Sequence, residues 1–442
     1  MYRAMEKCLE EIVDPKTGLI RKVTTRLLAP SEIKLFSAMV IPAYLSRYDE
    51  RDDNNMPLPW PQQTSGVGLT KEAAIYSAVG EFIERYCACI CDKDILIKAT
   101  YNQMVKKDYN TVAPSAFALF SEEQYTNKSI PFKKFTEETV VRWVEAISLI
   151  THKPVWVPAC FVWLVPFSEG IIFPNSNGLA AAPNRDDAIL GALCEVVERD
   201  AIMITWFNRL PAPRIPIEET NRDLATLLVN RSVNSGLEYD FIDITTNIKI
   251  PTVFTISIDR NGGTGVLVGA SCKVNIEDAI LKSFFEGAFQ ARPTVEEIGR
   301  RRVSTTSKIP GKLSASRRIL LTNHIAPYAN IDAIQKFDFL LNAPLVSPSY
   351  SSIDKEASLA FAINKIKDAG LDALMIELTT PDISALGFHV IRVVIPGAIG
   401  INVGKEKRFL GGKRIYTVPQ KLGYIERVVQ ENELNPLPHP FP

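Results

Sequence analysis

The 442-residue chain carries no net charge, because fifty Lys and Arg balance fifty Asp and Glu. A chain with no positive excess lacks the electrostatic footprint of a nucleic-acid binder. No apolar run approaches the roughly 20 residues that span a bilayer, and the start, Met1 to Glu11, lacks the apolar core of a secretory signal. The expectation is a cytoplasmic protein with no nucleic-acid and no membrane partner. Histidine is scarce, at four (His152, His324, His389, His439), and cysteine is held to seven. Seven cysteines do not make a disulfide scaffold in a chain this long. Cys87, Cys89 and Cys91 have no nearby histidine to complete a zinc site, and on a helix only Cys87 and Cys91 share a face. They read as buried, inert thiols. The phosphate-cradling patterns G-x-x-x-x-G-K-[ST] and G-x-G-x-x-G are absent as well.

What is present is ordinary globular composition, 46% apolar and 23% charged, which excludes wholesale disorder. Asp14 to Gly18 has the residue types of a turn, and Arg47 to Gln63 is polar and proline-rich, a loop. Helical periodicity runs over residues 70–92, 185–208 and 275–292. Residues 140–173 are rich in Val, Ile, Trp and Phe and read as strands. Residues 250–273 read as two strands around the turn Asp259–Gly263. A basic, serine-rich loop over 300–318 precedes alternating helix and strand signals to about residue 403. No low-complexity linker divides the chain, so the expected class is α/β (α+β), one large interlocked body.

The three helical stretches share a pattern. Ala74-Ile75, Ala188-Ile189 and Ala279-Ile280 each begin seven residues before a glutamate, namely Glu81, Glu195 and Glu286. The first two then repeat Glu-x-x-Glu-Arg as Glu81, Glu84, Arg85 and Glu195, Glu198, Arg199. Ala74, Ser77, Ala78, Glu81, Glu84 and Arg85 fall on one helical stripe, as do Ala188, Gly191, Ala192, Glu195, Glu198 and Arg199. Small residues admit a close neighbour, and the glutamates then face it. Four converging carboxylates repel one another unless a cation lies between them. Oxygen-only ligands suit Mg²⁺, which bridges carboxylates to nucleotide phosphates. Arg85, Arg199 and Arg292 are the matching phosphate-binding candidates. The competing reading is of solvated helix faces with ordinary Glu–Arg pairs. Ser65-Gly-Val-Gly68 and Ser176-Asn177-Gly178 lead into the first two helices, and each reads either as a phosphate-facing loop or as a plain turn.

The chain closes on Asn435-Pro-Leu-Pro438-His439-Pro440-Phe441-Pro442. Alternating prolines favour a stiff polyproline II strand of about 3.1 Å per residue, a reach on the order of 20 Å. This is either a frayed tail or a rigid arm that delivers a terminal carboxylate.

Together these residues resemble the YcaO family of ATP-dependent peptide-backbone enzymes. The resemblance rests on Ser65-Gly-Val-Gly68, Ser77-x3-Glu81-x2-Glu84-Arg85, Asn177-Gly178, Glu195-x2-Glu198-Arg199 and Glu286-x3-Gln290-x-Arg292. Within the family, the chain is most similar to the azoline-forming cyclodehydratases (D proteins) of thiazole/oxazole-modified microcin biosynthesis. That subgroup is marked by a P-x-P-x-P end, here Pro438, Pro440 and Pro442, and Pro396-Gly397 and Phe409 to Tyr416 fit its C-terminal half. Val67 departs from the lysine usual at that place. The resemblance implies a single YcaO-type body with pattern-related helices around a central ATP/Mg cleft. Its organisation is an N-terminal segment over 1–60, a catalytic body over 61–403 and a C-terminal segment over 404–442.

The resemblance further implies ATP and Mg²⁺ as cofactors. Glu81, Glu84, Glu195 and Glu198 would hold metal. Ser65, Ser77, Arg85, Asn177, Arg199, Glu286, Gln290 and Arg292 would hold nucleotide, and the carboxylate of Pro442 would orient substrate or act as base. The implied reaction is cyclodehydration of Cys, Ser or Thr in a ribosomally made precursor peptide. The first motif starts at Ser65, leaving no room for an E1-like domain before it, so a separate leader-binding, E1-like partner is expected. An FMN dehydrogenase in the same complex and a homodimer complete the expectation. Two alternatives stand beside it: a YcaO enzyme that forms thioamides or amidines, and a non-catalytic scaffold subunit of a modification complex.

Overall fold

The computed structural model describes residues 2–27, 33–43, 63–127, 130–260, 265–288, 324–402 and 408–441. The strands are β1 (Ile20–Leu27), β2 (Phe36–Pro42), β3 (Thr64–Gly68), β4 (Ile97–Ala99), β5 (Val141–Ser148), β6 (Pro154–Pro158), β7 (Leu179–Ala182), β8 (Leu237–Asp243), β9 (Thr252–Asp259), β10 (Val266–Cys272), β11 (Leu374–Glu377) and β12 (His389–Val394). The helices used below include α1 (Tyr2–Ile12), α2 (Lys71–Ala88), α3 (Tyr101–Lys106), α4 (Glu122–Thr126), α5 (Arg185–Asn208), α6 (Ile217–Thr220), α7 (Arg222–Ser232) and α8, over residues 276–288. The class is mixed helix and sheet, and every strand pairing between these elements is antiparallel.

The chain gathers into two compact units, each assembled from separate stretches. The first comprises Met1–Leu27, Leu35–Val196 and Lys355–Ala398, and the second Leu28–Lys34, Val197–Asp354 and Ile399–Pro442. Helix α5 begins in the first and ends in the second.

In the first unit, β1, β2 and β3 form one sheet, and β4-β5-β11-β12-β7 form another, with β6 beside β5. Helix α2 starts where the Thr70 side chain accepts from the Ala73 amide, relieving one of the unpaired first-turn donors. Its apolar residues recur at helical spacing and are buried: Ala74, Ala78, Phe82 and Ile83. One apolar cluster runs from these through Val144 and Ala146 of β5 to Val390 of β12. Each large side chain so buried contributes about 1.5–3 kcal/mol. The small stripe has the use expected of it. A Cβ added at Gly66 of β3 would lie 2.3 Å from the Ala74 carbonyl oxygen and 2.7 Å from Ser77 Cβ, so β3 lies against α2 backbone to backbone.

In the second unit, β10-β9-β8 form a sheet whose β9 and β10 are almost wholly buried. Gly269 of β10 repeats the device of Gly66, since a Cβ there would meet the Ser283 carbonyl oxygen of α8 at 2.2 Å. In two of the three pattern-sharing helices, α2 and α8, a preceding strand is packed through glycine onto the helix that follows.

Several expectations change. Ser65–Gly68 is neither a turn nor a loop; it is strand β3, paired with β2. Helix α2 stops at Ala88, so Cys89 caps it and Cys91 lies beyond, and Cys87 and Cys91 share no helix face. Of the three clustered cysteines only Cys87 is buried, while Cys89 and Cys91 are half-buried; burial pushes the Cys87 thiol up to about 11 and Cys91 to about 12, the direction that makes a thiol less reactive. After β6 the run to residue 173 holds a single 3-10 turn, Ala159–Phe161, in place of further strand; Pro158 and Pro166 interrupt it. The proposed loops at 300–318 and, apart from Gln63, at 47–63 lie outside the described residues.

Candidate active site

The first unit brings Ser65, Glu81, Glu84, Arg85, Asn177 and Glu195 into two adjoining sets of contacts. The Ser65 amide donates to Glu81 Oε2 at 3.0 Å, and the Gly178 amide donates to Glu195 Oε2 at the same distance. In each case a backbone N–H just ahead of a helix holds the first glutamate of that helix's Glu-x-x-Glu. Arg85 turns back on its own helix, with Nη2 2.6 Å from Glu81 Oε1. Ser77 sits under Gly66 at the β3–α2 contact. The Asn177 amide donates to Asn175 Oδ1 at 3.1 Å, closing the loop from which Gly178 reaches Glu195.

Glu84 is the electrostatic centre of this set. It keeps some accessible surface, yet the protein around it excludes enough water to push its carboxyl well above the ordinary range. Burial is the largest cause, and the charges of Glu195 and Glu81 add to it; Arg85 and Arg392 oppose it. Sequence reasoning missed Arg392. It stands in β12, buried within the otherwise apolar run His389-Val-Ile-Arg-Val-Val394. Burial lowers its guanidinium to about 10, against the raising influence of Glu195 and Glu84. A lone arginine inside an apolar strand was the available signal, because a buried charge demands a partner.

Among the described residues, no three His, Cys, Asp or Glu side chains form a ready-made metal cage. The donor set still fits Mg²⁺, which is commonly held by one or two carboxylates together with waters and substrate phosphates. Repelling carboxylates with oxygen donors only are the chemistry such an ion neutralises.

In the second unit, Glu198 Oε2 accepts from the Cys272 amide at 3.2 Å, where β10 ends. Arg199 Nε lies 3.9 Å from Glu198 Oε1. The next residue, Asp200, is fully buried. Its carboxylate accepts from Arg414 Nε and Nη2 at 2.9 and 2.6 Å and from the Ile399 amide at 2.9 Å. This bidentate pair ties the last stretch of chain to α5. Glu286 of α8 pairs along its own helix with Lys282, at 3.6 Å.

The proline tail is built into the second unit, and the frayed-tail alternative fails for residues 435–441. Pro438, His439, Pro440 and Phe441 are buried. Trp206 Nε1 donates to the Leu437 carbonyl at 3.3 Å, and the Tyr328 hydroxyl donates to that of Pro438. His439 Nε2 donates to the Asn402 carbonyl at 2.7 Å, and its ring stacks on His324 with centroids 4.1 Å apart. Burial, reinforced by the charges of His324 and Arg199, holds His439 well below the usual histidine value. Gln290, Arg292 and Pro442 lie outside the described residues.

The chain resembles known proteins over its whole length. A heterocyclase solved in complex with substrate and cofactor superposes with a TM-score of 0.76 at 22% identity, covering 100% of this chain and 57% of that one. The heterocyclase TruD gives 0.62 at 26% identity, covering 85% and 51%. A chain of the E. coli microcin synthetase McbBCD complex gives 0.56 at 14% identity, covering 89% and 90%. The chain thus spans little more than half the length of the two heterocyclases. No described helix is long and apolar enough to cross a membrane. Residues 65–399 match the model of the YcaO cyclodehydratases, described as ATP- and Mg²⁺-binding. That span begins at Ser65, takes in both Glu-x-x-Glu-Arg helices and β12, and shows that the chain belongs to the YcaO cyclodehydratase family.

Proposed function

We propose that this chain catalyses ATP- and Mg²⁺-dependent cyclodehydration of Cys, Ser or Thr residues in a ribosomally made precursor peptide, yielding thiazolines or oxazolines. The observation that carries the reading is the Glu84 carboxyl, pushed well above the ordinary range by burial and then by the charges of Glu195 and Glu81, carboxylates from two helices, against the opposing charges of Arg85 and Arg392. In the reaction, the side-chain sulfur or oxygen adds to the preceding backbone carbonyl carbon. The carbonyl oxygen takes the γ-phosphoryl group of ATP and departs as phosphate, leaving ADP and a ring that is one water lighter. Bound Mg²⁺ supplies charge neutralisation at the phosphates. Glu81, Glu84, Glu195 and Glu198 are the proposed metal ligands. Arg85, Arg199, Gln290 and Arg292, with Ser65, Ser77, Asn177 and Glu286, are the proposed nucleotide contacts. Such catalysis depends on positioning and charge more than on covalent protein chemistry. Peptide recruitment falls to a separate leader-binding, E1-like partner.

The test combines mass spectrometry of a precursor peptide, incubated with the chain, partner and ATP, with ATP turnover in Glu84→Gln and Glu198→Gln. Each ring should remove the mass of one water, whereas thioamide formation would add mass. Each substitution should lower turnover about 10²-fold or more while far-UV circular dichroism stays unchanged. Normal turnover in both variants would refute the assignment.

A further inference from the structure

The end of the chain repeats with a period of two: Pro436, Pro438, Pro440 and Pro442 alternate with Leu437, His439 and Phe441. Such a repeat carries no register of its own. Shifted along its bed by one repeat, each proline falls where another proline stood. At about 3.1 Å per residue, that slip displaces whatever follows by about 6 Å.

Several of the contacts that seat the tail do not oppose such a slip. Trp206 Nε1 donates to the carbonyl of Leu437, the Tyr328 hydroxyl to that of Pro438 and His324 Nδ1 to that of His439, the last at 3.2 Å. Every residue has a carbonyl, so these bonds can re-form with the carbonyls two positions away. The prolines themselves have no N–H to donate.

Three other residues do distinguish one position from the next. Asn435 is 1% exposed and closes the end of α5. Its amide donates to the Phe207 carbonyl at 2.7 Å and its Nδ2 to the Trp206 carbonyl at 3.1 Å, two of the acceptors that a helix leaves open at its C-terminus. Its Oδ1 accepts from the Leu437 amide at 3.2 Å and from Arg209 Nη2 at 3.3 Å. His439 is held by its Nε2 bond to the Asn402 carbonyl and by the stack on His324. Phe441 is buried with its ring perpendicular to that of Phe254 in β9, centroids 5.3 Å apart. Withdrawal by one repeat would bring Leu437, which has no side-chain donor, to the end of α5, and Phe441, which has none either, to the Asn402 carbonyl. Advance by one repeat would set the imidazole of His439 against Phe254.

We propose that Asn435, His439 and Phe441 are positioning residues that fix the register of the proline tail, and with it the place of the chain end. The prolines keep the arm stiff; the residues between them decide where it stops. The seat stands on the contacts above. Its consequence for catalysis rests on the cyclodehydration reading, with the terminal carboxylate in the role that the family resemblance implies.

The experiment compares wild type with two variants. One exchanges the residues between the prolines, His439→Phe with Phe441→His, and leaves every proline in place. The other, Pro438→Ala with Pro440→Ala, leaves those residues in place. Hydrogen exchange by mass spectrometry reads the seat through the amides of Asn435, Leu437, His439 and Phe441. Cyclisation of a precursor peptide with partner and ATP reads its consequence. In the exchange variant, the tail amides should exchange at least tenfold faster and kcat should fall at least tenfold, with KM for ATP within twofold of wild type. The proline variant should stay within threefold of wild type in both readings, and His439→Gln, which keeps an N–H near the place of Nε2, should lose less kcat than the exchange variant. If the exchange variant does not fold, Phe441→Ala takes its place with the same expectations. Unchanged amide protection in the exchange variant, or a larger loss in the proline variant, overturns the proposal. Faster tail exchange at unchanged kcat leaves the register device and refutes its part in the reaction. Should wild type itself form no rings, the cyclodehydration reading falls, and amide protection alone decides the seat.

Discussion

Gly178→Ala offers a quantitative test of how the site is built. Gly178 has φ +79°, and a Cβ there would stand 2.2 Å from the Val393 carbonyl oxygen and 2.6 Å from Val196 Cγ2. Two independent costs follow. The left-handed backbone disfavours any L side chain by about 1–2 kcal/mol. Forcing a methyl between β12 and α5 adds an overpacking cost of about 1–3 kcal/mol. The total expected loss is about 2–5 kcal/mol. The same unit supplies a control that separates the two. Gly370, past the helix Ser358–Asp368, has φ +75° and nothing within 4 Å of an added Cβ. Gly370→Ala therefore carries the backbone cost alone, partly offset by about 0.4–1 kcal/mol from a stiffer unfolded chain. Gly66→Ala carries the packing cost without the left-handed one. Urea denaturation of the three variants gives the ordering, with Gly178→Ala lowest in midpoint at unchanged m-value. Equal losses for Gly178→Ala and Gly370→Ala would show that the loop does not press on β12 and α5, and would refute the reasoning.

Two further outcomes are expected. Asp200→Asn or Arg414→Met alone should each cost about 3–5 kcal/mol, since each leaves a buried charge unpaired, while the double variant should lose much less than the two together; strictly additive losses in denaturant titrations would count against the pair. His439 and His324 are both held below the ordinary histidine value by burial, with His324, Arg199 and the Asn402 carbonyl facing His439. Below about pH 6.5 the unfolded chain then binds more protons than the folded one, so stability falls with acidification, at most by about 1.4 kcal/mol per unit from His439, with a further contribution in the same direction from His324. Melting between pH 7 and 5.5 should show this slope, and His439→Gln should flatten it. An identical slope in the variant would exclude His439 as its source.

The two long helices were legible because their apolar positions keep a 3.6-residue period. The second, over 185–208, matches α5 residue for residue. The small-residue stripes were legible too, since Ala74, Ala78, Ala188 and Ala192 are all fully buried. Arg392 was not. Its strand has no periodicity to interrupt, and the carboxylates it faces lie more than a hundred residues away in sequence. The glycine stretch Ser65–Gly68 misled for a related reason. Glycine marks either a turn or a close approach of backbones, and local sequence does not distinguish a free loop from a strand pressed against a helix. The proline tail read either as a frayed end or as a rigid arm, and its own residues did not choose between them. What it packs on depended on Trp206 and Tyr328, which its own residues do not specify.

Three glutamates of the two motifs are each held by a backbone amide: Glu81 by Ser65, Glu195 by Gly178 and Glu198 by Cys272. This decides which substitution tests their chemistry. An amide that loses its acceptor at a partly buried position costs about 1–3 kcal/mol, and the strand it belongs to loses its tie to the helix. Alanine at these positions would therefore combine a structural loss with any loss of metal binding. Glutamine retains an oxygen acceptor on the same stem and removes only the charge. Glu84 stands apart, since what shifts its carboxyl is burial first and then the charges of Glu195 and Glu81. Glutamine and alanine at position 84 should accordingly reduce turnover to a similar degree. At positions 81, 195 and 198 alanine should also lower the melting temperature of the protein, and glutamine should not.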